Sequence, residues 1–183
     1  MTHLEITPAE PCDLDVILAL RDEAARWLRE RGSDQWQRPW PSEDLQAERI
    51  RSSIANGETW MVRDGDRTAA TLAIDHEANP TLWTEAERAE SALFVHRLIV
   101  SRAYAGKGLG AQLLNWATEK ARQGARWLRV DVWTTNYDLQ RYYLAQGFGH
   151  VRTLHLEDYP SGALLQRRVG PDKETAPRRG PSG

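Results

Sequence analysis

Cysteine is almost absent. Cys12 is the only one in 183 residues, which excludes an internal disulfide and a cysteine-based zinc cluster. It stands between Pro11 and Asp13 with no histidine near it in sequence, a poor setting for a thiol nucleophile. Charge of one sign is lacking too. Twenty-four Lys and Arg against 26 Asp and Glu leave a formal net charge of −2, so no nucleic-acid surface is implied. No apolar run approaches a membrane span, and the opening MTHLEITPAEPCDLD has neither the basic start nor the apolar segment of a signal peptide. The expectation is a cytoplasmic chain with no membrane or nucleic-acid partner. Phenylalanine is scarce, two residues against eight tryptophans. Tryptophan packs cores but also lines pockets for organic ligands, and Trp27, Trp36 and Trp40 are spaced through the first quarter of the chain.

The length suits one domain with a real core. Hydrophobic periodicity and turn residues give an order of elements. HLEIT reads as a strand. Asp13 then precedes the periodic run Leu14, Ile17, Leu18, Ala24, Trp27 and Leu28, a helix that ends at Gly32. After the loop GSDQWQRPWP, Ser42 caps a second helix running through Asn56. Two strands follow around Asp64-Gly65, then a connection with a helical turn and the strand ALFVHRLIVS. A glycine turn leads into a helix to Gln123, whose apolar stripe is Leu109, Leu113, Leu114, Ala117 and Ala121. RWLRVDVW is a strand, NYDLQRYYLAQ a helix stopped by Gly147, and FGHVRTLHLE and ALLQRRV are closing strands. The predicted order is β-α-α-β-β-β-α-β-α-β-β: an α/β (mixed α+β) fold with a central, mostly antiparallel twisted sheet of about seven strands flanked by helices. One domain over 1–169 is expected. The Pro-, Gly- and charge-rich tail, 170–183, is expected to be flexible.

The glycine turn carries the first functional signal. In SRAYAGKGLGAQLLNWA, Gly106, Gly108 and Gly110 stand at every second position with Lys107 between them. A dinucleotide fingerprint needs its third glycine one residue later, and a Walker loop needs a hydroxyl directly after the lysine. The physics is nonetheless that of an anion cradle. Glycines let successive N–H groups converge on one point, and a helix beginning there adds its unpaired first N–H groups and the positive end of its dipole. A turn that merely redirects the chain stays open on spacing alone.

Two motifs resolve that ambiguity by resemblance. HRLIVSRAYAGKGLGAQLL resembles the strand, pyrophosphate turn and helix of the GNAT N-acetyltransferase superfamily. NYDLQRYYLAQGF is similar to that family's asparagine, tyrosine and Gly-Phe, here Asn136, Tyr143, Gly147 and Phe148. The motifs span about residues 93–149, and the preceding elements fit the family order. One position departs: the family turn usually opens with Gln or Arg where this chain has Ala105, and Arg102 or Lys107 would supply the missing charge.

The resemblance implies acetyl-CoA as acyl donor, with no metal. It places the pantetheine arm on backbone groups of Leu98, Ile99 and Val100. The pyrophosphate falls on Gly106, Lys107, Gly108, Leu109, Gly110 and Ala111, and Asn136 lies near the thioester. Tyr143 corresponds to the family's proton donor to the departing thiolate. A phenol is still protonated at working pH. At i, i+3 and i+4, Leu139, Tyr142 and Tyr143 share a helix face, on which Tyr142 is expected to be core. For the base, His96 matches a proton-removing histidine of serotonin N-acetyltransferases. Two residues before Leu98, it is expected on the same strand face. Asp131 is the rival, at the place of a catalytic glutamate in ribosomal-protein N-terminal acetyltransferases. In the family the first two helices and their loop wall the acceptor. Here that loop offers Trp36 and Trp40 as walls and Asp34 as an anchor for a cation, and Asp75 is a further candidate for holding an ammonium. The expected acceptor is a small-molecule primary amine with an apolar or aromatic body. A protein N-terminus as acceptor, a non-catalytic acyl-CoA-binding module, and a homodimer as against a monomer all remain open.

Overall fold

The computed structural model describes residues 4–38 and 40–170. Apart from Gly170, the tail expected to be flexible lies outside the described residues. The elements follow the predicted order: β1 (Leu4–Pro8), α1 (Leu14–Glu30), α2 (Glu43–Ala55), β2 (Thr59–Asp64), β3 (Arg67–Asp75), α3 (Glu85–Arg88), β4 (Ala92–Val100), α4 (Leu109–Ala121), β5 (Trp127–Val132), α5 (Tyr137–Ala145), β6 (Gly149–Thr153) and β7 (Ala163–Arg168). Single-turn 3-10 helices precede α1 and follow β4. The local signals act as expected. Gly32, at φ 76°, closes α1, with its N–H on Arg29 and that of Ser33 on Leu28. Ser42 Oγ accepts from Leu45 N–H at 3.3 Å and caps α2. Asp64 pairs with Arg67 across the hairpin, with Gly65 at φ 57° in its loop.

The seven strands form one sheet in the order β1-β2-β3-β4-β5-β7-β6. Every neighbouring pair is antiparallel except β4 and β5, which are parallel. Their connection runs through α4, as a parallel pair requires a crossover. The last strand inserts between β5 and β6. Strand β6 is shorter than the sequence suggests, because after Thr153 the chain turns off the sheet, with Leu154 N–H bonded to Gly162.

One face of the sheet carries the main core, in which Leu72, Val95, Leu128, Val130 and Leu165 pack with Leu113, Leu114 and Ala117 of α4 and Tyr143 of α5. The opposite face holds two smaller clusters. Ile17 and Ile50 pack α1 and α2 on Met61, and Trp83 packs with Phe94 and Leu164.

Arg129 is buried on that second face with all three guanidinium nitrogens engaged. Nε donates to Gln166 at 3.1 Å, Nη1 to the Glu87 carbonyl at 2.7 Å and Nη2 to Glu90 at 2.9 Å, with the Trp83 ring 4.6 Å from its carbon. Arg129→Ala removes these bonds and leaves a void beside Trp83. The expected loss is about 2–4 kcal/mol, at and below the usual range for a broken buried pair because Glu90 keeps contact with water. Urea denaturation checks this through the midpoint.

Candidate active site

The site begins where the sheet opens. Strands β4 and β5 pair only through Ala92–Phe94 with Trp127–Arg129. Beyond Phe94 they separate, so the β4 groups that would have bonded to β5 have no ladder partner there. A bulge adds to the divergence. Ala73 faces His96 and Thr71 faces Ile99, so Leu72 alone stands against both Arg97 and Leu98, and Arg97 takes φ 47°. The expectation that His96 and Leu98 share a strand face is therefore corrected. The extra residue shifts the alternation, Ile99 shares the face of His96, and Leu98 packs against the main core.

A cavity of about 470 Å³ occupies the opening. Leu98, Ile99 and Val100 wall it on β4, and Gly106, Gly108, Leu109 and Gly110 at the glycine turn. Asn136, Leu139, Tyr142 and Tyr143 line it at α5, and Trp27, Leu28, Gln35 and Trp36 from α1 and the loop after it. The three α5 residues expected to share a face do so here. Tyr142, expected to be core, is half-buried and part of the wall.

At one end the glycine turn presents a run of N–H groups. Gly106 and Gly108 have φ 74° and 75°, and Gly108 is the N-cap of α4. The first bond of the helix is from Gln112 N–H to Gly108. Hence the N–H groups of 106–111 have no acceptor among the described residues, the condition an anion cradle needs. Gly110 meets another constraint, since a Cβ there would stand 2.6 Å from the Tyr142 hydroxyl. Lys107 Nζ lies 5.2 Å from the Tyr104 ring centre. Arg102 lies over Trp27 at 4.0 Å and Arg31 over the same ring at 4.9 Å, which puts two positive charges at this rim. Arg31 was not singled out from sequence, and Trp27 was named only among several tryptophans.

At the other end Asn136 caps α5. Its Oδ1 accepts from Leu139 N–H at 3.0 Å, and its Nδ2 donates to Gln35 Oε1 at 2.6 Å. Tyr143 is 7% exposed, and its ring meets Phe148 edge-on at 5.3 Å. Burial, with Tyr142 and Asp131 adding, raises its pKa above the ordinary phenol value, so it stays protonated.

His96 stands outside the lining of this cavity, with two carboxylates around it. Its Nε2 is 3.1 Å from Asp75 Oδ2, and its Nδ1 is 3.8 Å from Asp131 Oδ1. Tyr159 donates to Asp131 Oδ2 at 2.8 Å. Burial acts to lower the His96 pKa. The Asp75 hydrogen bond and the charges of both carboxylates outweigh it and hold the group above its ordinary value. Burial likewise works on Asp75, but the His96 bond prevails and its pKa is lowered. Asp131 is pushed up, chiefly by burial, with His96 and Tyr159 opposing. The two residues weighed as rival bases are thus parts of one cluster. Tyr159 was missed, since 28 residues of sequence separate it from Asp131.

The loop between α1 and α2 is tied across the opening. Asp34 Oδ1 accepts from Trp133 Nε1 at 3.1 Å and from Thr135 Oγ1 at 2.6 Å, so Asp34 anchors the loop to the segment between β5 and α5. Gln35, 6% exposed, makes the bond to Asn136 described above. Trp36 lines the cavity, while Trp40 stands apart from it, edge-on to Tyr159 at 5.0 Å. The structure therefore brings Trp36 to the cavity side and places Trp40 and Asp75 with the His96 cluster.

Comparison with known proteins agrees with this geometry. Residues 21–148 match the model of the acetyltransferase (GNAT) family. The uncharacterized N-acetyltransferase YesJ of Bacillus subtilis (strain 168) is 33% identical over 150 residues, 77% of this chain and 79% of YesJ. A GNAT-family acetyltransferase from Listeria monocytogenes superposes with a TM-score of 0.73 at 24% identity, over 91% of this chain and 95% of that one. The PaiA N-acetyltransferase of Thermoplasma acidophilum, solved in complex with coenzyme A, does so at 0.67 and 17%, over 91% and 99%. The chain belongs to the GNAT family of acetyltransferases and is an acyltransferase. Among the described residues no helix is long and apolar enough to cross a membrane.

Proposed function

We propose that this chain transfers the acetyl group of acetyl-CoA to the primary amine of a small molecule, directly, within a ternary complex. The observation that carries the reading is the continuity of the opening. It runs from N–H groups without partners at the turn, along the unpaired edge of β4, to the phenol of Tyr143. The turn at 106–111 holds the pyrophosphate. The β4 edge at Leu98, Ile99 and Val100 bonds the amides of the pantetheine arm and polarises the thioester carbonyl, and Asn136 borders the thioester. Bound there, acetyl-CoA supplies the activated acyl group.

The acceptor arrives from the side of the loop between α1 and α2, with Trp36 and Trp40 as apolar walls. His96 takes one proton from its ammonium, whose charge Asp75 and Asp131 attract. The amine lone pair attacks the carbonyl carbon, the C–S bond breaks, Tyr143 protonates the departing sulfur, and the excess proton on the acylated nitrogen returns to the Tyr143 phenolate, leaving a neutral amide. Coenzyme A release measured with acetyl-CoA and a panel of small amines tests the reading. Binding of acetyl-CoA without turnover of any amine or peptide N-terminus would leave a non-catalytic acyl-CoA-binding protein.

The His96 assignment gives a pH prediction. An imidazole acting as base works unprotonated, so kcat/KM rises with pH through its pKa. Because Asp75 and Asp131 favour the imidazolium, the rising limb is expected above the ordinary histidine value of about 6.5. Asp75→Asn removes a stabilising charge, lowers the His96 pKa and moves the limb to lower pH. His96→Gln removes the limb and most of the rate. A limb unmoved in both variants would belong to the amine of the substrate.

A further inference from the structure

We infer that the acceptor carries an oxyanion as well as its amine, a carboxylate or a phosphate monoester, and that Arg97 and Arg49 bind this group beside His96. The inference rests on the acetyltransferase reading above and names the substrate class.

It begins from a contrast among the arginines. Arg63, Arg129, Arg152 and Arg167 are strand residues with partly or fully buried side chains, and each donates at least two hydrogen bonds. Arg97 is also half-buried on a strand, yet its side chain has no hydrogen bond and no ion pair among the described residues. A guanidinium offers five N–H donors, and burying it without partners is costly. Such a group is kept where a ligand completes it. Burial acts to depress its pKa, the nearby Arg49 adds to this, and Asp75 and Glu58 oppose it.

The second arginine reaches the same place from another element. Arg49, exposed on α2, lies over the Trp40 ring at 4.7 Å and has no ion pair among the described residues. Its charge acts on both Arg97 and Tyr159. Contacts run without a break from Arg49 through Trp40 to Tyr159, Asp131 and His96. Among the described residues no carboxylate makes an ion-pair contact with either guanidinium, although Asp75 and Glu58 act on Arg97 from farther off, and Arg97 directly follows the histidine that two carboxylates flank. A molecule with an ammonium and an oxyanion is complementary to that arrangement. Guanidinium is suited to carboxylate and phosphate alike, since its planar fork bonds either one bidentately.

The test is coenzyme A release by the purified chain with matched acceptors. Each of the common L-amino acids is compared with its own α-carboxamide, and O-phosphoethanolamine with ethanolamine. The anionic member of at least one pair is expected to exceed its neutral partner in kcat/KM by roughly ten- to a hundredfold, the range for a charged hydrogen bond. The pair that discriminates tells carboxylate from phosphate. Arg97→Met and Arg49→Met should each raise KM for the anionic member and bring the ratio towards one, and Arg49→Lys should restore part of it. Arg49 is exposed on α2, so its variants keep the test valid even if Arg97→Met does not fold. Two results overturn the inference alone: neutral members used as well as anionic ones, or a ratio unchanged in Arg49→Met. Acetyl-CoA bound with no panel member acetylated overturns it together with the acetyltransferase reading. Failure to bind acetyl-CoA at all would likewise remove the acetyltransferase reading beneath it.

Discussion

Gly108→Asp is expected to abolish acetyl-CoA binding, with affinity falling by roughly a hundredfold or more, in a protein that still folds. Gly108 is the N-cap of α4 at φ 75°, and nothing stands within 4 Å of a Cβ built there. Space is therefore not the obstacle. The left-handed conformation costs a side chain about 1–2 kcal/mol, an amount Gly108→Ala measures separately. The introduced carboxylate has a further effect. At an N-cap it lies within reach of the N–H groups of Gly110 and Ala111, which are among those a pyrophosphate would use. It competes for those donors and repels a phosphate of like charge at contact distance, where the repulsion is strong outside bulk water. Because it also complements the helix dipole, stability should fall little or even rise while binding is lost. Calorimetry with acetyl-CoA, alongside a thermal melt, separates the two. Unchanged affinity in the folded variant would place the anion elsewhere.

Tyr143→Phe should lower turnover by roughly ten- to a thousandfold with acetyl-CoA affinity nearly unchanged. This covers the lower half of the usual range for general acid catalysis and extends below it, because a thiolate leaves with modest help. The ring remains, with its edge-on contacts to Phe148 at 5.3 Å and Tyr142 at 5.8 Å, so the core under α5 is kept. Only the hydroxyl is lost, and burial ensures that this hydroxyl carries its proton throughout the working range. Single-turnover measurement isolates the chemical step from product release. Tyr142 lines the same cavity and sets the control. If Tyr142→Phe carries the loss and Tyr143→Phe does not, the donor is the neighbour.

What the sequence by itself determined is what acts within a few residues. Glycines at 106 and 108 read as a turn because only a residue without Cβ accepts positive φ without strain, and the helix after them follows from its apolar stripe. Asn136, seven residues before Tyr143, likewise reads as the start of a helix that carries the tyrosine on one face. These signals placed the turn and the helix that line the cavity. Tertiary structure alone decided the rest. The opening between β4 and β5 depends on where pairing stops, and no residue type marks that point. The bulge at Arg97 has no glycine to announce it, and it moved Leu98 off the face of His96. Asp75, His96 and Asp131 come from three neighbouring strands, and Tyr159 from the turn beyond β6. Their meeting follows from strand order, including the insertion of β7 between β5 and β6. Strand order is chosen by the burial of whole faces, an energy summed over dozens of side chains. A periodicity of two or 3.6 residues specifies which face is buried, but not which distant strand will lie beside it.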